Sequence, residues 1–278
     1  MAQRLARPRS RSRGGGAALA GVALICLAIA GMGSLAFFYF SAPRSPKLDP
    51  ASLCPVSGPE GITVILVDTS DDLPEIAQRQ VLGILDDQIT SLPAYYRLDI
   101  RVLDVAGGRS RSLFAKCNPG DGEGLSDWTS NPRLARLRWI ESFKQPASDA
   151  VKHSVVAAQA NTSPIMAALQ DIAVDEFSSN AAQQVPKNLI VISDMLENTR
   201  DYNQYQNLGD LSYQRFRQTP AYLKYRTDLH GAHVSIEYVQ RILPKGAIDT
   251  VRHIEFWKQW VTDNRGTFEI ARRLQGAG

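Results

Sequence analysis

The chain has 278 residues, 44% of them hydrophobic and 21% charged, with a formal net charge of +3. Five arginines fall within the first 13 residues, so the remaining chain sets 26 basic side chains against 28 acidic ones. The basicity therefore belongs to one tail, the rest is a near-neutral solvated domain, and no nucleic-acid partner is expected.

The tail, residues 1–16, carries those arginines and no acid. An uncharged stretch from Gly14 to Pro43 follows, apolar between Ala17 and Phe40. About 20 apolar residues cross the hydrocarbon layer as a helix. Residues 17–40 are thus expected to form one transmembrane helix, with the arginines holding its N-terminus in the cytoplasm. A cleaved signal peptide would want a shorter apolar region and a small-residue cleavage site. Here the run ends in Phe37-Phe38-Tyr39-Phe40, the aromatic residues of a membrane interface. Cys26 follows Ile25 rather than a small residue, which argues against a lipoprotein.

Residues 41–60, rich in Pro and Ser, read as a linker, and residues 61–278 as one soluble domain outside the cytoplasm. Cys54 and Cys117 are its only cysteines. In an oxidising compartment such a pair reads as a disulfide, contributing about 4 kcal/mol in the chain-entropy account. Two unrelated buried thiols are the alternative.

Ile62–Val67 is a continuous apolar, β-branched run, the pattern of a strand buried on both faces. Leu73–Leu92 predicts a helix with Ile76, Val81, Leu85, Ile89 and Leu92 on one face. Leu98–Val105 and Arg111–Lys116 predict two more strands, and Asn118–Gly124 a loop. Asn131-Pro132 should cap a helix burying Leu134, Leu137, Ile140 and Phe143, with Pro146 breaking or kinking it. A helix over Pro164–Phe177, a buried strand over Asn188–Ser193, a strand over Val234–Ile242 and a helix over Ile248–Asp263 complete the order. The fold class expected is α/β, a mostly parallel doubly wound sheet with helices on both faces.

In such sheets ligands bind at the carboxyl ends of strands. Two strands here run into aspartate, at Asp68 and Asp194. Three stretches carry the candidate chemistry: Asp68-Thr69-Ser70-Asp71-Asp72, Asn161-Thr162-Ser163-Pro164 at a helix start, and Ser193-Asp194-Met195-Leu196-Glu197-Asn198. Gathered at one sheet edge, their oxygens suit a hard divalent cation.

These stretches resemble the von Willebrand factor A-like domains, whose Rossmann-like fold carries a metal-ion-dependent adhesion site. Asp68 and Ser70 match that family's Asp-x-Ser-x-Ser loop, Ser163 its helix-leading Thr, and Asp194 and Asn198 its Asp-Gly-x-x-Asn loop. Thr162 is a neighbour that could serve in place of Ser163. Asp72 replaces the second serine and Met195 the glycine. The resemblance implies a metal set of Asp68, Ser70, Asp72, Ser163 and Asp194 for Mg²⁺, with Mn²⁺ or Ca²⁺ also open. Asp72-Leu73-Pro74-Glu75 equally has the spacing of a capping box, so Asp72 could instead cap the following helix.

Tyr202, Tyr205, Tyr213, Arg215 and Arg217 are expected to contact a partner, because Tyr and Arg dominate interaction hot spots. Short helices packing these aromatics on the sheet are the alternative. The four histidines have no metal-like spacing, and neither a G-x-S-x-G elbow nor a phosphate-binding glycine loop occurs. Catalysis is unsupported. The function expected is a binding module on the cytoplasmic (inner) membrane, single-pass, facing a protein partner outside the cytoplasm. The alternatives are a metal-free scaffold subunit of an envelope complex and an envelope hydrolase.

Overall fold

The computed structural model describes residues 14–41, 46–70, 75–104, 108–125, 131–154, 161–206, 208, 211–240 and 248–274. They fall into two units, Met1–Pro46 and Lys47–Gly278. In the first, α1 (Gly14–Ser41) contains Leu19–Phe38, a segment long and apolar enough to cross a membrane. Leu19, Leu24, Leu27, Leu35 and Phe38 on it are each at least two-thirds exposed, so no protein core receives them.

The second unit is built on a six-stranded sheet of order β3-β2-β1-β4-β5-β6. Its strands are β1 (Gly61–Val67), β2 (Tyr96–Asp104), β3 (Arg109–Cys117), β4 (Lys187–Ser193), β5 (His233–Tyr238) and β6 (Thr267–Arg273). All neighbours are parallel except β2 and β3, which pair antiparallel. This is a mostly parallel, doubly wound α/β sheet, the fold class expected. All seven residues of β1 are buried, as the unbroken apolar run requires of a central strand.

Alternate residues of β1 serve opposite layers. Ile62, Val64 and Leu66 pack with α5 (Ile165–Ile172) and α9 (Thr250–Asp263). Ile65 and Val67 pack with α2 (Glu75–Ser91), α3 (Pro132–Trp139) and α4 (Gln145–Ser154). Burial of each large aliphatic side chain stabilises the fold by roughly 1.5–3 kcal/mol.

Two helical faces differ from expectation. In α2 the buried stripe is Ala77, Val81, Leu85 and Ile89, spaced by four, and Ile76 lies one residue off it at 54% exposure. In the next helix Leu134, Leu137 and Ile140 face solvent, while Trp139, Phe143, Ala147 and Val151 are buried. The cause is local. A π-helical turn, Ile140–Lys144, joins α3 to α4, and the Gln145 amide reaches back to the Ile140 carbonyl. Widening the helix just before Pro146 accommodates a residue that has no N–H and would crowd the preceding turn. Pro146 therefore alters the helix phase instead of ending it. A second π turn, Ala173–Phe177, extends α5.

Within the segment expected to be a linker, residues 47–60 pack onto the domain. Cys54 is disulfide-bonded to Cys117 across a Cα–Cα distance of 4.7 Å. The Cys117 amide donates to Ser52 and the Glu60 amide to Tyr95. Strand β6 was not anticipated, because five of its seven residues are exposed and leave no alternation to read.

Two polar residues of β2, Asp99 and Arg101, are also buried. Arg101 donates to Asp99 at 2.8 Å and to Glu176 at 3.3 Å, and Arg97 donates to Glu176 at 2.9 Å. This network ties β2 to the second π turn. Burial pushes the Asp99 carboxyl above its usual range, against the pull of Ser112 and Arg101.

Candidate functional site

Order reversal between β1 and β4 creates a switch point, and the crevice beyond the strand ends is where open α/β sheets bind ligands. Asp68 follows β1 and Asp194 follows β4 at this position. The Asp68 amide donates to Ile192, tying the two strand ends together.

Asp68 organises the edge. Its Oδ1 accepts the Ser70 amide at 2.9 Å. Its Oδ2 accepts the Ser193 hydroxyl at 2.7 Å and the Ser163 hydroxyl at 3.2 Å. Ser163 arrives from 95 residues away because it exchanges two backbone hydrogen bonds with Asn198, just before α5 begins. Asp194 turns inward on its own loop, with Oδ1 accepting the Leu196 amide at 2.9 Å. Asp68, Ser70, Ser163 and Asp194 are all buried.

Met195 stands at φ +60°, the left-handed region for which the adhesion-site loops carry glycine. Met195 thus holds a conformation that a side chain of its kind normally avoids. Ser193 supports the turn by accepting the Met195 amide at 2.7 Å.

Behind the edge lies a buried polar relay. Glu197 is fully buried; its Oε2 accepts the Met166 amide at 2.8 Å in the first turn of α5, and its Oε1 has no hydrogen-bond partner. Burial, reinforced by the Asp68 charge, pushes its carboxyl up to about 8. The Gln204 Oε1 accepts the Glu197 amide at 2.9 Å and lies 3.3 Å from His253 Nε2. His253 is also bonded to Tyr238, 2.9 Å from its Nδ1. Burial holds His253 down to about 4, so the ring is neutral.

Of the expected metal set, Asp68, Ser70, Ser163 and Asp194 come to one sheet edge, whereas Asp72 and its capping alternative lie outside the described residues. The donor chemistry of these four fits a hard divalent cation: two carboxylates and two hydroxyls, with the orphaned Glu197 oxygen behind them. Among the described residues, no group of three or more His, Cys, Asp and Glu side chains is arranged to hold a metal. Ser193 and Glu197 fall within one of the three candidate stretches but were given no role of their own. Nothing in one dimension shows that Ser193 turns toward Asp68, or that an acid three residues past Asp194 is buried.

The Tyr/Arg segment divides in two. Tyr213 is buried, and its hydroxyl donates to Asp263, as does that of Tyr222. Tyr202 stacks against Phe216 and Phe256. Tyr205 is half-buried, and Arg215 and Arg217 are exposed. Arg217 lies over the Tyr222 ring.

No protein-family model matches the sequence, and no curated protein matches it. Solved structures similar to this chain include a conserved hypothetical protein BatB from Bacteroides thetaiotaomicron, at 13% identity, covering 76% of this chain and 89% of that one with a TM-score of 0.37. An aerotolerance-related membrane protein from Bacteroides fragilis matches at 11% identity, covering 78% and 92% with a TM-score of 0.38. The von Willebrand factor A domain of SpRpn10 matches at 11%, covering 77% and 89% with a TM-score of 0.37.

Proposed function

We propose that this chain is a membrane-tethered binding module, offering the carboxyl edge of its sheet around Asp68, Ser70, Ser163 and Asp194 to a protein partner outside the cytoplasm. The observation that carries the proposal is the convergence of Ser163 and Ser193 on the Asp68 carboxylate at the switch point, beside Asp194. A divalent cation, Mg²⁺ before Mn²⁺ or Ca²⁺, would be held by those four residues and would supply a coordination site for an acidic side chain of the partner. Arg215, Arg217 and Tyr205 would extend the contact, with Tyr202 and Tyr213 anchoring that segment in the core.

The extracytoplasmic placement is supported by the arginine-rich tail before the apolar helix and by the Cys54–Cys117 bridge. Tethering confines the module to a surface, where a weak face gains from effective concentration. The metal-free scaffold reading has one observation in its favour: protein donors already occupy both oxygens of Asp68. The hydrolase reading has less support, because His253 bonds Tyr238 and neighbours Gln204 with no serine between.

A photo-reactive residue replacing the exposed Asn161, next to the edge, against the same group replacing the exposed Gln184 before β4, tests the docking edge in the full-length chain. Partner crosslinks from position 161 that vanish in Asp68→Ala support it; equal crosslinking from both positions refutes it. Sensitivity of those crosslinks to chelator separates the cation from the scaffold reading.

A further inference from the structure

We propose that Glu197 is a proton-exchanging acid coupled to the sheet edge, so that a divalent cation held by Asp68, Ser70, Ser163 and Asp194 expels the Glu197 proton to solvent. The proposal rests on the cation reading of that edge. Glu197 is three residues past Asp194; its Oε2 accepts the Met166 amide, and its own backbone amide donates to the Gln204 side chain. Its Oε1 has no hydrogen-bond partner, and the residue has zero exposure. A buried carboxylate with one oxygen left unpartnered is poorly compensated, so the neutral acid is the resting form.

Every element around Glu197 leaves that balance to the sheet edge. From β1 it faces Asp68, whose negative charge discourages ionisation. From α5 it faces the backbone amides of Ile165 and Met166, that helix having no acidic residue in its first turn and its one acid, Asp171, in its last. Its own loop contributes the Thr199 hydroxyl, which favours the anion, and Tyr225 beyond α8 (Pro220–Lys224) is pushed up, by burial first. Gln204 adds a neutral amide, and His253 of α9, behind it, is held neutral by burial. None of the leading influences on the Glu197 carboxyl is a cation. Two positive charges placed beside Asp68 reverse the sign of the field at Glu197, and the carboxyl becomes a carboxylate, releasing one proton.

Calorimetric titration of the full-length chain in detergent with Mg²⁺ and with Mn²⁺, in two buffers of different protonation enthalpy, counts that proton. Wild type should release close to one proton per cation near pH 7 and almost none at pH 9. Linkage then makes its affinity rise up to about tenfold per pH unit between pH 6 and 8. Glu197→Gln should bind with no proton release and no pH dependence over that range. Binding by wild type without proton release overturns the coupling and leaves the cation reading standing, a result that needs no variant. The same proton count in Glu197→Gln also overturns it. Absence of binding by wild type removes the cation reading and the coupling together.

Discussion

Replacing Glu197 by Gln should stabilise the protein at neutral pH, and the gain should disappear in acid. In the unfolded chain the carboxyl loses its proton above its ordinary 4.5, whereas the folded protein retains it up to about 8. Between those values the native state binds one proton more than the unfolded state, so stability falls as pH rises, by about 1.4 kcal/mol per unit. The penalty at pH 7 is about 3 kcal/mol, and it levels off above pH 8 at about 4–5 kcal/mol. Gln keeps the shape, still accepts the Met166 amide through its carbonyl, and cannot ionise. Denaturant unfolding in the presence of chelator, followed by tryptophan emission, isolates the effect, since α1 contains no tryptophan and Trp257 and Trp260 lie in the domain core. The variant should match wild type within about 1 kcal/mol at pH 5 and exceed it by about 3 kcal/mol at pH 7. A difference that stays constant from pH 5 to pH 8 would refute the account of Glu197 as a buried neutral acid.

His253 should produce the opposite limb: it stays neutral in the fold down to about 4, so the unfolded chain gains a proton first as pH falls below 6.5. Stability is lost by about 3 kcal/mol in total across that window, and His253→Gln should flatten the loss in the same unfolding assay from pH 7 to pH 4. Cys54→Ser with Cys117→Ser should lower stability by about 2–5 kcal/mol, and adding reductant to wild type should reproduce that shift in melting temperature. Arg101→Met leaves Asp99 buried without its cation and should cost about 3–5 kcal/mol in denaturant unfolding, with Arg101→Met/Asp99→Leu recovering much of it.

Much of this architecture was legible in the chain because it depends on local pattern. The runs Ile62–Val67 and Asn188–Ser193 are buried by composition alone, and each ends in the aspartate that marks the switch point. Phase was harder to read. The π turn before Pro146 moved the buried face of that helix onto Trp139 and Phe143, a change set by backbone widening that apolar spacing does not encode. Strand β6 escaped notice because an edge strand buries few side chains and leaves little periodicity.

By itself the sequence determined the apolar helix, the two aspartates at strand ends and the pairing of two cysteines, since length, local pattern and residue count decide those features. Tertiary structure decided which oxygens meet. Ser193 and Ser163 close on Asp68 only when β1, β4 and the entry to α5 are side by side. The protonation of Glu197 was equally invisible in one dimension, because an acid's charge is set by what surrounds it, and here burial with one oxygen unpartnered keeps the proton on.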